Sequence, residues 1–152
     1  MTRMVVGLGN ADRGDDAVGL DVARRVLALS PSGVDVVATD DPASLLDLWA
    51  VADDVVVVDA IVSHRDPGTV VLVDVGATGL TGHGWSVGGS HALGLGAAVE
   101  LSRALGRLPA RLVLVGVEVG STERGSELTA AVSAAVDTAA RAALAVLEEG
   151  GR

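Results

Sequence analysis

Short apolar, β-branched runs alternate with longer stretches of helical periodicity along this chain, the pattern of an α/β sheet covered on both faces. Residues 3–9 (RMVVGLG) read as a first strand, followed by a Gly- and Asp-rich loop. Residues 15–29 place Val18, Val22, Val26 and Leu29 at helical spacing. Pro31, Ser32 and Gly33 break the chain before a second strand over residues 34–38, and residues 43–51 predict a short helix through Leu45, Leu46, Leu48 and Trp49. The valine run in residues 54–60 predicts a third strand that is buried on both sides.

The alternation then breaks. Pro67-Gly68 marks a turn ahead of a strand over residues 69–74. The intervening residues 61–68 are too few for a parallel crossover, which takes about a dozen, so one antiparallel strand in a mixed sheet is expected. Glycines at 76, 79, 82, 84, 88 and 89 argue against regular structure over residues 76–89. Helical pattern returns over 91–105, a fifth strand over 111–119 and a long Ala-rich helix over 127–149, with 150–152 as a fraying tail.

The chain has 152 residues, which fits a single domain over 1–152, and 49% hydrophobic content is enough for a sizeable core. Aromatic residues make up 1% and the net charge is −9, so neither base stacking nor phosphate binding is supported and no nucleic-acid partner is expected. The absence of Lys rules out a Walker-type phosphate loop and a Schiff-base lysine; the absence of Cys rules out a thiolate metal site and a cysteine nucleophile. No run approaches the roughly 18 apolar residues of a spanning helix and no export signal is visible. No membrane partner and a cytoplasmic location are therefore expected.

The glycine loop Gly7-Leu8-Gly9 invites a dinucleotide-binding reading, but the third glycine of that fingerprint falls on Asp12. Carboxylates at Asp12, Asp15 and Asp16 would also face the pyrophosphate at a helix N-terminus, where an anion needs N–H donors. More informative are acids at strand ends, where open α/β sheets bind ligands. Asp16 opens the helix after the first strand, and Asp40 and Asp41 follow the second. Asp16 is equally what a helix dipole favours in a first turn. Asp59 ends the valine strand, where a carboxylate is costly to desolvate unless it is solvent-open, paired or bound to a cation. His91 follows Ser90, a suitable N-cap, so its imidazole should stay neutral, the form that binds metal. A lone His at a loop-to-helix junction is more often a surface or capping residue than a ligand, and nothing sets His64 or His83 apart. Two carboxylates and one imidazole from distant loops make a hard-to-borderline donor set, with no short zinc signature in the chain.

These residues bring the chain close to a known family. Residues 4–19 (MVVGLGNADRGDDAVG) resemble the first signature of the NiFe-hydrogenase maturation endopeptidases: a strand, a Gly-x-Gly-Asn turn, then an acidic pair followed by glycine. Residues 59–62 with Pro67-Gly68-Thr69 resemble the second signature, residues 90–95 (SHALGL) the third, and residues 112–117 (LVLVGV) a fourth stretch. The resemblance implies a three-layer α/β/α sandwich around a five-stranded mixed sheet with one antiparallel strand. It implies an endopeptidase that removes a C-terminal peptide from the nickel-loaded large-subunit precursor of a NiFe hydrogenase. Nickel would come with that precursor instead of residing in the protease, and Asp16, Asp59 and His91 would recognise it. The metal would act as Lewis acid or activate a water, Asp16 and Asp59 lying at the reacting centre, with Asp40 a candidate base. Two departures stand out: position 16 is Asp where some relatives carry Glu, and Asp40-Asp41-Pro42-Ala43 replaces a Gly-Gly-Thr-like segment. A non-catalytic nickel-binding accessory protein with the same ligands is the alternative reading.

Overall fold

The computed structural model describes residues 2–10, 14–78, 86–87, 92–120 and 128–150. Strand β1 (Arg3–Leu8) leads through a 3₁₀ turn at Gly14–Ala17 into α1 (Val18–Ala28), then β2 (Val34–Thr39), a second 3₁₀ turn at Pro42–Ser44 and α2 (Leu45–Ala50). β3 (Asp54–Val62), β4 (Val70–Asp74), the single-turn α3 (Val75–Thr78) and the two-residue β5 (Ser86–Val87) follow. The chain closes with α4 (Ala92–Ala104), β6 (Arg111–Glu118) and α5 (Ala130–Gly150).

The main strands lie in the order β2-β1-β3-β6-β4, and β4 alone runs antiparallel along that path. This is the five-stranded mixed sheet expected from the short link after β3. That link does not form a hairpin: β6 inserts between β3 and β4, so residues 63–69 cross the end of β6. Regular structure also occurs inside the glycine-rich span, contrary to expectation. Residues 76–78 belong to α3, and Ser86 and Val87 pair antiparallel with Val62 and Ile61. That pairing, with Ile61 also opposite Glu118 of β6, carries β3 beyond the expected end at Ala60.

Alternation along β3 builds two cores. Val55, Val57 and Ile61 join Leu45 and Trp49 of α2 and Leu95, Ala98 and Val99 of α4. Val56, Val58 and Ala60 join Val18, Val22 and Val26 of α1 and the apolar face of α5. Each fully buried Val contributes about 1.5 kcal/mol or more, and both faces of β3 are covered. Trp49 satisfies its indole N–H on Ser102 Oγ at 2.8 Å, joining α2 to α4. By length and composition α5 could cross a membrane, contrary to the expectation that no run approaches a spanning helix. Here Val132, Ala135, Ala139, Ala140, Ala143, Val146 and Leu147 of that helix are buried against the sheet.

Helix α1 lies unusually close to the sheet because glycines face each other there. A Cβ at Gly7 would meet Gly19 O and come 2.8 Å from Ala23 Cβ; a Cβ at Gly19 would meet Leu8 O and come 2.6 Å from Val58 O. These glycines are thus explained by backbone packing, without a nucleotide. Gly19→Ala is expected to destabilise the fold by about 3 kcal/mol or more, since the obstacles are carbonyls that cannot rotate away. A chemical-denaturation midpoint within error of the wild type would contradict that packing.

Candidate active site

The order of connections reverses at β1. The chain goes from β1 through α1 to β2 on one side, then through α2 on the opposite face to β3 on the other side. Open α/β sheets bind ligands at such a reversal, outside the carboxyl ends of the strands. β1 pairs with β3 only as far as Val58, while β5 takes up Ile61 and Val62. Asp59 and Ala60 are therefore left without a strand partner on that side among the described residues.

The 3₁₀ turn brings two acids to this gap, and they do different jobs. Asp15 is buried and fully engaged: it accepts from Gly120 N at 2.6 Å, Thr129 N at 2.7 Å and the Thr129 hydroxyl at 2.9 and 3.1 Å. It latches the loop after β1 to the end of β6 and the start of α5. Asp16 is also fully buried, and its carbonyl accepts Asn10 N–H at 3.0 Å. A Cβ at Gly9 would lie 2.5 Å from that same carbonyl, so glycine there lets the loop close over Asp16.

Asp59 completes the pair from β3. By alternation its side chain leaves the sheet on the α2 and α4 face, between Val57 and Ile61. It is fully buried; Oδ1 accepts Ala60 N–H at 2.8 Å, and Oδ2 has no hydrogen-bond partner among the described residues. Burial pushes its pKa well above the ordinary carboxylate range; the Ala60 N–H opposes this, and the nearby Asp16 carboxylate adds to the rise. Burial beside a second carboxylate favours a bound proton or cation at Asp59, because a nearby like charge raises its proton affinity.

Asp40 lies exposed immediately after β2, on the same carboxyl-terminal rim. Neighbouring Asp41 caps the following 3₁₀ turn, accepting Ala43 N–H at 3.0 Å. His91 lies outside the described residues; α4 begins at the next residue, Ala92. The structure therefore brings Asp16 and Asp59 together and puts Asp40 on their rim. Among the described residues no group of three or more His, Asp or Glu side chains is arranged to hold a metal. Sequence reasoning passed over Glu118, a buried acid at the end of β6, although an acid ending an apolar strand is the same signal that marked Asp59. It also grouped Asp15 with Asp16, because the latch partners of Asp15 are distant in sequence.

Comparison with known proteins agrees with this architecture. The family model described as "Hydrogenase maturation protease" matches residues 34–146, a span that includes Asp59 and His91 and leaves out Asp16. The hydrogenase maturating endopeptidase HybD from E. coli superposes with a TM-score of 0.78 at 32% identity, covering 99% of this chain and 94% of that one. The NiFe hydrogenase maturation protease HycI from Thermococcus kodakarensis gives 0.72 at 28% identity, covering 97% and 93%. HybD from the same organism gives 0.72 at 25%, covering 96% and 99%. No curated protein sequence matches the chain at a significant level.

The raised pKa of Asp59 has a stability consequence. The folded state holds this proton more tightly than the unfolded state, so the contribution is favourable below the ordinary carboxylate pKa and is lost as pH rises through the folded value. Asp59→Asn removes that loss. Its melting temperature should exceed the wild type's at pH 8 and converge with it near pH 4. Parallel melting curves for the two proteins across this range would contradict the assignment.

Proposed function

The chain belongs to the hydrogenase maturation protease family, and from that premise we propose that it removes a C-terminal peptide from the nickel-loaded large-subunit precursor of a NiFe hydrogenase. The observation that carries this reading is the buried Asp16–Asp59 pair at the β1/β3 reversal, with Asp59 Oδ2 lacking a hydrogen-bond partner among the described residues. A carboxylate oxygen in that condition suits a divalent cation, which supplies the opposite charge that burial withholds.

The nickel is treated as part of the substrate. Asp16 and Asp59 would offer anionic oxygens and His91 an imidazole nitrogen, a donor set without thiolate that fits nickel brought in by a partner. Bound beside a peptide carbonyl, a divalent ion supplies Lewis-acid polarisation or an activated water. On the protein's side, Asp59 would surrender its proton as the cation arrives, so engagement weakens at low pH. Asp16 would hold the second negative charge, positioned by the Asp15 latch and by the close packing at Gly9 and Gly19. Asp40, exposed at the end of β2, has the solvent access a general base needs to receive a proton from water. A cytoplasmic location accompanies this reading.

Asp16→Asn and His91→Ala should each reduce processing of nickel-loaded precursor by about a hundredfold or more, because loss of a metal-engaging group removes several kcal/mol of stabilisation. Thermal melts should stay near the wild type's. Normal processing by either well-folded variant would remove that residue from the site. Nickel-free precursor should remain uncleaved; equal cleavage of both forms would refute recognition through the metal. Binding of the loaded precursor without any mass loss would instead identify a non-catalytic accessory protein.

The isolated protein should hold less than stoichiometric nickel or zinc after dialysis, since three open N/O donors form an incomplete cage. Elemental analysis finding one tightly held ion per chain would contradict a substrate-borne metal.

A further inference from the structure

The turn leaving β3 is organised around Glu118, a carboxylate that the site above does not use. Glu118 is 2% exposed, and its oxygens accept Ser63 N–H at 3.0 Å each, Arg65 N–H at 3.3 Å and the Ser63 hydroxyl. His64, between those two donors, has φ of +65°, a left-handed conformation that persists in a non-glycine residue only when its surroundings impose it. The Ser63 hydroxyl has one hydrogen, given to Glu118, and its oxygen accepts Arg65 Nη1 at 2.8 Å. A buried acid thus orients an exposed guanidinium through a serine.

Exposed arginines ordinarily keep their rotamer freedom, so an orientation enforced from the core calls for an explanation. Arg24, Arg25, Arg111 and Arg141 are each ion-paired to an acid; Arg65, like Arg3, Arg103 and Arg107, is in no ion pair among the described residues, but it alone of these is held by a side chain that a buried acid orients. Its other N–H donors remain available in a fork that matches a carboxylate. The turn lies on the rim of the candidate site: Glu118 is in register with Ile61, two positions beyond Asp59 and its partner Gly116. At about 3.3 Å per residue, an extended peptide of roughly four residues spans from Asp59 to this turn. With a net charge of −9 the protein repels acidic segments at long range, and a held guanidinium offers one a point of attachment on this rim.

We propose that Arg65, oriented by Ser63 and Glu118, binds a carboxylate carried by the precursor segment that enters the site. This rests on the processing reading above and names a specificity contact for it. Arg65→Gln should raise KM for nickel-loaded precursor about tenfold, leave kcat within about twofold and flatten the salt dependence of kcat/KM. Ser63→Ala keeps the charge and loses its orientation, so KM should rise about threefold with the salt dependence retained. A wild-type KM and salt dependence in Arg65→Gln would overturn the proposal, as would a loss confined to kcat. Precursor lengthened at its C terminus by a few neutral residues separates the two carboxylate sources: raised KM assigns the contact to the terminal carboxylate, unchanged KM to an acidic side chain. Should the wild-type protein cleave nothing, the processing reading fails by itself. Calorimetric binding of the same precursor then decides the matter, tenfold weaker binding by Arg65→Gln supporting the contact and equal binding overturning it.

Discussion

Everything at the carboxyl-terminal rim depends on how closely α1 approaches β1 and β3. The backbone of Gly19 lies against the carbonyls of Leu8 and Val58, and Gly7 lies against Gly19 and Ala23. No side chain larger than hydrogen fits between these elements. The 3₁₀ turn ahead of α1 is therefore held over the end of β3, and Asp16 sits close enough to Asp59 to raise its proton affinity. Glycine packing thus brings the turn that carries Asp16 onto the end of the strand that carries Asp59.

Among the described residues, the roles of the buried acids Asp15, Glu118 and Asp59 at the rim follow from their donors. Asp15 and Glu118 are surrounded by N–H and O–H groups and act as ties, one fastening the loop after β1 and the other the turn after β3. Asp59 receives one N–H from its own neighbour and is otherwise confronted by Asp16. Donor-rich carboxylates stabilise structure, and a donor-poor one in a gap retains capacity for a ligand. The opposite edge shows a different solution. Burial pushes the pKa of Asp54 up while Arg111, 3.6 Å away, opposes the rise, and Arg111 also donates to Val146 O at 2.7 Å, anchoring the end of α5.

The sheet was legible because its strands are valine runs with turn signals between them, and period-2 alternation in β3 sorts directly onto the two cores. The short link after residue 60 announced an antiparallel strand; it could not announce that β6 would insert between β3 and β4, since strand order is a long-range choice. Within the glycine-rich span, β5 escaped notice because two residues carry no periodicity and gain their structure from Ile61 and Val62. Asp59 could be singled out from local sequence by its desolvation cost. Asp16 could not be told from a helix-dipole acid, nor Asp15 from Asp16, because their distinguishing partners lie across the fold. For Asp16 the resemblance to the family's first signature offers a role that local chemistry leaves open, and the family itself follows from sequence and structural likeness together.

The central claim is that Asp16 and Asp59 share one dry gap and couple electrostatically there. Carboxyl carbon-13 chemical shifts of selectively labelled aspartates, followed by NMR as a function of pH, test this directly in the isolated protein. Asp59 should titrate well above the ordinary carboxylate range, and its midpoint should fall when Asp16 is replaced by Asn. An Asp59 midpoint in the ordinary range, indifferent to the residue at position 16, would contradict the account.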